Sequence, residues 1–375
     1  MAGIYIHIPF CRKACHYCNF HFSTSLQKAP EVLKSIEKEM EIRSEEINEE
    51  INTVYFGGGT PSLIESESIA SILNQANKYF KIAPDAEITL EANPDDINLL
   101  KAKSWKSMGI NRFSLGIQSF ADENLQWMNR AHNAFQSFSA IETIRNAGFE
   151  NFSIDLIYGT PGQSMEGWLK DVETTLELNI PHLSCYALTV EEKTALQTLI
   201  QKGEKQEVNQ DEQAERFNIL MELTAQAGYH HYEISNLALP GFESKHNSSY
   251  WEGLSYIGFG PSAHSYDGEK RKWNIANNIK YVEAIAQHIL PLEEETLSQN
   301  DKLNEYTMTS IRRSKGIEKN RLIQMGGEEK FLEIKKMIQP YLENNKVVED
   351  EKSWRLTNQG KFFADGIAAS LFILD

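Results

Sequence analysis

A chain of 375 residues, 41% of them hydrophobic, is long enough for one large domain plus a smaller one and carries enough apolar surface for a core, which argues against intrinsic disorder. Its formal net charge of −16 repels phosphate backbones and argues against nucleic acid as the main partner. No apolar run reaches the roughly 18 residues of a membrane span, and no basic stretch followed by an apolar one opens the sequence, so neither a spanning segment nor a signal peptide is expected.

The first element, Ile4–Ile8, reads as a strand. Pro9 and Phe10 then turn the chain into Cys11-Arg12-Lys13-Ala14-Cys15-His16-Tyr17-Cys18, which holds three of the four cysteines. A disulfide framework needs an even count and an oxidising compartment. A zinc site wants a fourth Cys or His. An iron–sulfur cluster held by three thiolates leaves one iron open to another ligand, and Cys-x3-Cys-x2-Cys matches that case. Zinc, or cysteines buried as small apolar side chains, remain as alternatives. Cys185, far along in an apolar strand, is expected to be a buried side chain and not a ligand. Free thiols fit a reducing cytoplasm, the expected location.

Further strands are expected at Thr53–Phe56, Glu87–Glu91, Arg112–Ile117, Phe152–Tyr158 and His182–Leu188, with helical patterns near 31–50, 66–80, 95–108, 134–147 and 166–178 between them. Such alternation implies parallel β/α units. Six units are too few for a closed eight-fold barrel and suit an open, partial (β/α)6 barrel, whose functional residues gather at the C-terminal strand ends. Gly57-Gly58-Gly59-Thr60-Pro61 follows the second strand, where glycine permits close backbone approach to a ligand. Glu91 ends the third strand and can accept from a ribose diol or an ammonium. Gln118 can both donate and accept, Arg130 suits a carboxylate, and Asp155 sits in an apolar strand where it needs a partner. Taken singly, each is as often structural. One per successive strand, they make a single pocket.

The cysteine loop resembles the signature of the radical S-adenosylmethionine (SAM) superfamily. Together with Gly57–Pro61, Leu115–Phe120 and Ile154–Gly162 it is similar to the coproporphyrinogen-oxidase branch of that superfamily. The resemblance implies that Cys11, Cys15 and Cys18 hold a 4Fe-4S cluster whose open iron is chelated by the amino and carboxylate groups of SAM. It implies that one electron, from a separate donor, splits SAM to methionine and a 5′-deoxyadenosyl radical. It further implies a SAM site lined by Tyr5, Tyr17, Gly58, Gly59, Thr60, Glu91, Gln118, Arg130 and Asp155, the glycine loop meeting the amino group. Oxygen-independent coproporphyrinogen III oxidases carry a further cysteine two residues after the third, where this chain has Phe20, and a longer segment before the loop. Both departures resemble instead the heme chaperones of the branch. His246-Asn247-Ser248-Ser249-Tyr250-Trp251 resembles their HNxxYW motif, which implies heme contact by His246 with Asn247, Tyr250 and Trp251 beside it. A neutral imidazole can ligate iron and aromatic rings can stack on a macrocycle.

From about 240 the pattern changes. A glycine-rich segment, Tyr256–Ser265, resembles an element that closes over the active site. Residues 277–290, 301–313 and 328–344 read as amphipathic helices and 347–356 as a short hairpin, while Glu293-Glu294-Glu295 reads as a solvated loop and 197–213 as an exposed connection or helix start. The expected domains are a radical SAM core over 1–240 and a smaller, mainly helical domain over 241–375. The expected function is a chaperone that binds heme, the cluster and SAM and delivers heme to an acceptor protein, respiratory proteins included. The alternative is a coproporphyrinogen III oxidase (dehydrogenase) or another radical SAM reaction.

Overall fold

The two-residue repeat of the strands sets the architecture, seen in a computed structural model that describes residues 2–374. Six parallel strands lie side by side in chain order: β1 Ala2–Ile8, β2 Ile51–Gly58, β3 Ile82–Ala92, β4 Arg112–Gln118, β5 Phe152–Tyr158 and β6 His182–Ala187. Helices Ala29–Ile42, Ser66–Tyr79, Leu99–Ser107, Ala134–Asn146 and Met165–Glu177 connect them. On one strand face Ile4, Ile6, Val54, Phe56, Leu90, Phe113, Leu115, Ile154, Leu156 and Leu183 are buried in the main apolar core with the helices. On the other face Tyr5, Tyr55, Glu91, Arg112, Ser114, Ser153, Asp155, His182 and Ser184 line an interior cavity. A closed eight-stranded barrel fills its interior with branched aliphatic side chains. This open, partial barrel keeps a polar one, so its interior is a site and not a core.

The sheet grows beyond the six strands at both edges. β7 His230–Glu233 and β8 Asn236–Ala238 form an antiparallel pair beyond β6, with β8 against it. β9 Tyr256–Phe259 lies parallel to β1, followed by antiparallel β10 His264–Tyr266, β11 Lys270–Asn274 and β12 Leu292–Thr296. The Glu293–Glu295 run is therefore not a free loop. It is an edge strand facing Arg271, Lys272 and Trp273 of β11, with the diagonal Lys270 Nζ 2.9 Å from Glu294 Oε1. Opposite charges across a strand pair favour the pairing, and a charged edge resists further strand addition.

The expected boundary at 240/241 does not coincide with a break in packing. Ile257, Phe259, Tyr281 and Ile285 belong to the main core, because β9–β12 continue the same sheet. A second apolar core starts at Leu303 and gathers Ile311, Ile334, Ile338, Trp354 and Leu371. It is built on helices Gln299–Ile311 and Lys319–Glu343 and on a small sheet of β13 Ile317–Glu318, β14 Val347–Glu349 and β15 Ser353–Leu356. The long helix starts earlier than the apolar pattern suggests and is interrupted at Gly327, where φ is +75°. The polar 197–213 stretch leads into helix Gln210–Gln226, which packs on Met165–Glu177. No helix among the described residues is long and apolar enough to cross a membrane.

One buried polar knot joins the first helix to the late strands. The Glu39 carboxylate accepts from Arg43 Nη1 (2.8 Å), Asn274 Nδ2 (2.8 Å), Gly260 N (2.9 Å) and Tyr281 OH (2.5 Å), and Arg43 donates on to Gly258 O (2.8 Å) and Ser265 Oγ (3.1 Å). Every lone pair of a buried charge is thus met, as burial requires. Removing one member leaves the others uncompensated. Glu39→Ala is expected to cost about 3–5 kcal/mol, read as a fall in the midpoint of urea unfolding with an unchanged slope.

Candidate functional site

The cysteine loop leaves the C-terminal end of β1 and is tied at its base, where Cys11 N donates to Ser23 O (3.0 Å) and Ser23 N to Pro9 O (2.9 Å). Its outer part is fastened to neighbouring loops. Arg12 reaches Asp95 (2.9 Å) and Asp96 (2.5 Å), His16 N donates to Met128 O (3.1 Å), and Asn129 Nδ2 donates to Ala14 O (2.7 Å). Cys11, Cys15 and Cys18 are free, half-buried thiols on this loop, while Cys185 is buried in the apolar core. Burial pushes the Cys11 thiol up to about 11 despite a Thr60 hydrogen bond, and Cys18 and Cys15 nearby add to the rise. Burial also raises Cys18. Three adjacent thiols in dry surroundings carry negative charge only against a cation.

Among the described residues no group of three or more His, Cys, Asp or Glu side chains is gathered about a single point. A cluster differs, since each thiolate binds its own iron and the sulfurs ring a larger volume. The donor set fits such a cluster, and Arg130 Nη1 stands 3.3 Å from Cys15 Sγ as a counter-charge.

The glycine loop presses against the start of the cysteine loop. Gly58 has φ +106°, and a Cβ there would lie 2.5 Å from the His7 ring; at Gly59 it would lie 2.7 Å from the Phe10 backbone. The amides of this loop are already engaged: Gly58 N donates to Glu91 Oε2 (3.1 Å), Gly59 N to Ile8 O (3.0 Å) and Thr60 N to Phe10 O (2.7 Å). What the loop can offer a ligand is carbonyl oxygen, the polarity that an ammonium needs.

Glu91 also accepts from Tyr55 OH (2.7 Å). Burial pushes its carboxyl up to about 7, opposed by the Tyr55 bond and reinforced by Asp155. Asp155 finds the partner its apolar strand demands in Ser114 Oγ (3.4 Å), and burial holds it at about 6. Gln118 closes β4 in a left-handed conformation, φ +66°, at a shift in register against β5. Such backbone costs on the order of 1–3 kcal/mol and persists where surroundings impose it. Arg130 donates to Tyr17 OH (3.2 Å), Asn93 Oδ1 (2.7 Å) and Gly116 O (2.8 Å) as well as to Cys15, leaving buried Nε without an acceptor among the described residues. Tyr5 stands on β1 beside Tyr55, ring centroids 6.1 Å apart, with its hydroxyl 3.1 Å from His7 Nδ1.

The helix Lys245–Trp251 lies at the other end of the strands. Glu87 on β3 accepts from Ser244 Oγ (3.3 Å), Lys245 N (3.1 Å) and His246 N (3.0 Å). The buried His246 ring stacks on Tyr55 at 4.8 Å, with Nδ1 2.7 Å from Thr53 Oγ1 and Nε2 2.9 Å from Tyr250 OH. Burial drives this imidazole down to about 3, helped by Arg112, so it is neutral. Both ring nitrogens are occupied. Thr53 is four residues before Gly57 on β2, about 13 Å along the strand, which separates His246 from the cysteine loop. His246, Asn247 and Tyr250 line the same interior cavity as Glu91 and Asp155. Trp251 instead faces a second cavity with His230, Glu233 and Arg313.

Tyr55, Asn93, Arg112, Ser114, His182 and Ser184 also face or brace the site. No motif announces them: each is a single polar residue in an alternating strand or a turn. Pairing of the strands is what brings them together.

A family model described as the radical SAM superfamily matches residues 5–175. The chain is 34% identical over 371 residues to the heme chaperone HemW of Bacillus subtilis, covering 98% of each chain. It is 36% identical over 314 residues to the heme chaperone HemW of Lactococcus lactis, covering 84% of this chain and 82% of that one. The fold is shared with coproporphyrinogen III oxidase (HemN) of Escherichia coli, a radical SAM enzyme, at a TM-score of 0.85 and 23% identity over 99% of this chain and 90% of that one.

The raised Glu91 carboxyl has a measurable consequence. Its value of about 7 lies above the ordinary 4.5, so the folded state holds the proton more tightly. That contribution is full below pH 4.5 and is lost as pH rises through about 7. In ligand-free protein, Glu91→Gln should flatten the decline in unfolding free energy between pH 5 and pH 8, by on the order of 1–3 kcal/mol. Parallel pH profiles of the two proteins would reveal an unaltered Glu91.

Proposed function

We propose that this chain, which belongs to the HemW family of the radical SAM superfamily, is a heme chaperone that binds heme, a 4Fe-4S cluster and SAM and passes heme to an acceptor protein. The observation that carries this reading is identity to heme chaperones along nearly the whole chain, with the exposed Phe20 (66% accessible) where the oxidases place a further cysteine. Work in the cytoplasm, a one-electron donor and a respiratory acceptor are part of the same reading.

When bound, the cluster and SAM supply one-electron cleavage of a sulfonium. The protein's own part is positioning. Cys11, Cys15 and Cys18 would hold three irons, and carbonyls of Gly58 and Gly59 would receive the SAM ammonium. Glu91 would accept from the ribose hydroxyls, for which Tyr55 and Gly58 already orient it. Arg130 would keep the thiolate side of the loop against Asn93 and Gly116 and turn Nε toward the carboxylate, while Gln118 and Asp155 bound the remaining wall. Heme contact by His246 would require Nε2 to leave Tyr250 or Nδ1 to leave Thr53. Asn247, Tyr250 and Trp251 move with the same short helix.

Anaerobic reconstitution is expected to give one four-iron cluster per chain, lost on Cys→Ala exchange at positions 11, 15 and 18. Added heme is expected to give a Soret band, and coproporphyrinogen III with SAM and reductant should remain unchanged. Conversion to protoporphyrinogen IX would overturn the chaperone reading. His246→Ala should weaken heme binding at least tenfold, and an unchanged spectrum and affinity would remove it as a ligand.

A further inference from the structure

The interior cavity has a lower half that the SAM reading leaves unused. Toward the N-terminal strand ends its wall includes Arg112, Ser153, His182, Ser244 and Asn247. Arg112 is 2% exposed. Its nearest carboxylate oxygen, Glu87 Oε2, lies 3.8 Å from Nε, outside hydrogen-bonding range, because Glu87 is turned to Ser244 and the amides of Lys245 and His246. Arg112 Nε and Nη2 find no acceptor among the described residues. These two nitrogens form one edge of the guanidinium, the edge that takes both oxygens of a carboxylate side-on.

His182, 1% exposed, adds a third donor. Its Nε2 is 2.8 Å from Tyr232 OH. The Tyr232 oxygen accepts from Asn247 Nδ2 at 3.4 Å, which leaves its own proton free to point to Nε2. With Tyr232 donating, His182 carries its proton on Nδ1, which has no partner among the described residues. Burial and the Arg112 charge keep this imidazole neutral. A buried guanidinium edge and a buried imidazole N–H, both without acceptors among the described residues, border one cavity. Of the carboxylates that face it, Glu91 stands near the C-terminal end of β3 and Asp155 at the middle of β5, where it feels the Arg112 charge but makes no hydrogen bond with it.

We propose that Arg112 and His182 form a carboxylate-binding site on the floor of the barrel, with one carboxylate oxygen on each of Arg112 Nε and Nη2 and His182 Nδ1–H closing the third side. The cavity, about 210 Å³, is smaller than the roughly 300–1,000 Å³ of sites for drug-sized ligands. The site therefore seats a short organic acid or the carboxylate arm of a ligand whose bulk stays outside. Neither source depends on SAM cleavage, and the first is independent of heme.

The test uses cluster-loaded protein, titrated anaerobically with sodium propionate, with sodium chloride at matched ionic strength, and with propionamide. Saturable stabilisation and calorimetric binding are expected for propionate alone. In wild-type protein with 15N-labelled histidine, the His182 Nδ1 resonance should move with propionate and stay with propionamide. Arg112→Gln should weaken propionate at least tenfold. Because that change also strips a charge from beside Glu87, His182→Phe serves as a second variant, with an expected loss of about threefold.

Heme and its dimethyl ester, bound to wild type and to each variant, separate the two sources. A carboxylate arm predicts that the variants lose affinity for heme but not for the ester, and that propionate competes with heme. A free acid predicts propionate binding with heme affinity unchanged. No saturable propionate effect together with equal behaviour of heme and ester would overturn the proposal. So would a crystal structure at high propionate showing only water, or Glu87 itself, against Arg112 Nε and Nη2. Propionate binding in a protein that takes up no heme would sink the chaperone reading and leave this site standing.

Discussion

Period-two alternation in six adjacent strands is the constraint from which the rest of the molecule follows. Helices on the outside demand an apolar strand face, and Ile4, Ile6, Val54, Phe56, Leu115 and Leu156 supply it. The opposite face is then free to be polar, at the cost of satisfying every group placed there. A one-residue slip in any strand would turn carboxylates toward the helices and isoleucines toward the cavity. Register and function are thus the same property in this sheet. The β1–β2 pairing that sets Tyr5 beside Tyr55 also delivers His7 to Gly57 and the cysteine loop to the glycine loop.

Along the barrel axis the interior is sorted by charge. The thiols and Glu91 lie toward the mouth, where a cationic sulfonium and an iron core would neutralise them, and Asp155 stands at the middle of β5. Toward the floor, Arg112 and His182 turn donors inward and Glu87 anchors the helix that carries His246. Burial raises Glu91 and Asp155 and lowers His246, which in each case favours the uncharged form. The ligand-free chain therefore keeps His246 neutral and holds Glu91 and Asp155 nearer to neutrality than free carboxyls.

Local spacing made part of this legible in advance. Cys11, Cys15 and Cys18 announce themselves by interval, the glycine loop by composition, and the six parallel strands by alternation with helices, because such signals are short-range. Arg112 and His182 gave no sign, since a polar residue in an alternating strand looks the same whether it meets solvent or a lumen. β9 is hidden for a related reason: it pairs with β1 across some 250 residues of separation, and no local pattern encodes a partner that remote. The glutamates at 293–295 mislead because charge suggests a loop. Only the basic strand beside them makes an edge strand of them. The HNxxYW spacing draws attention to His246, yet its setting among Thr53, Tyr55 and Tyr250 is tertiary throughout.

The placement of β9 against β1 has a temporal side. On a ribosome, β1 emerges first, but the strand that completes its outer flank is made only when residues 256–259 appear. At about 5–20 residues per second that interval is on the order of 10–50 s. Throughout it, the backbone edge of β1 lacks its second neighbour, and Glu39 and Arg43 wait for Gly258, Gly260, Ser265, Asn274 and Tyr281. The nascent chain thus presents its thiol loop beside an unfinished wall long before the wall is sealed.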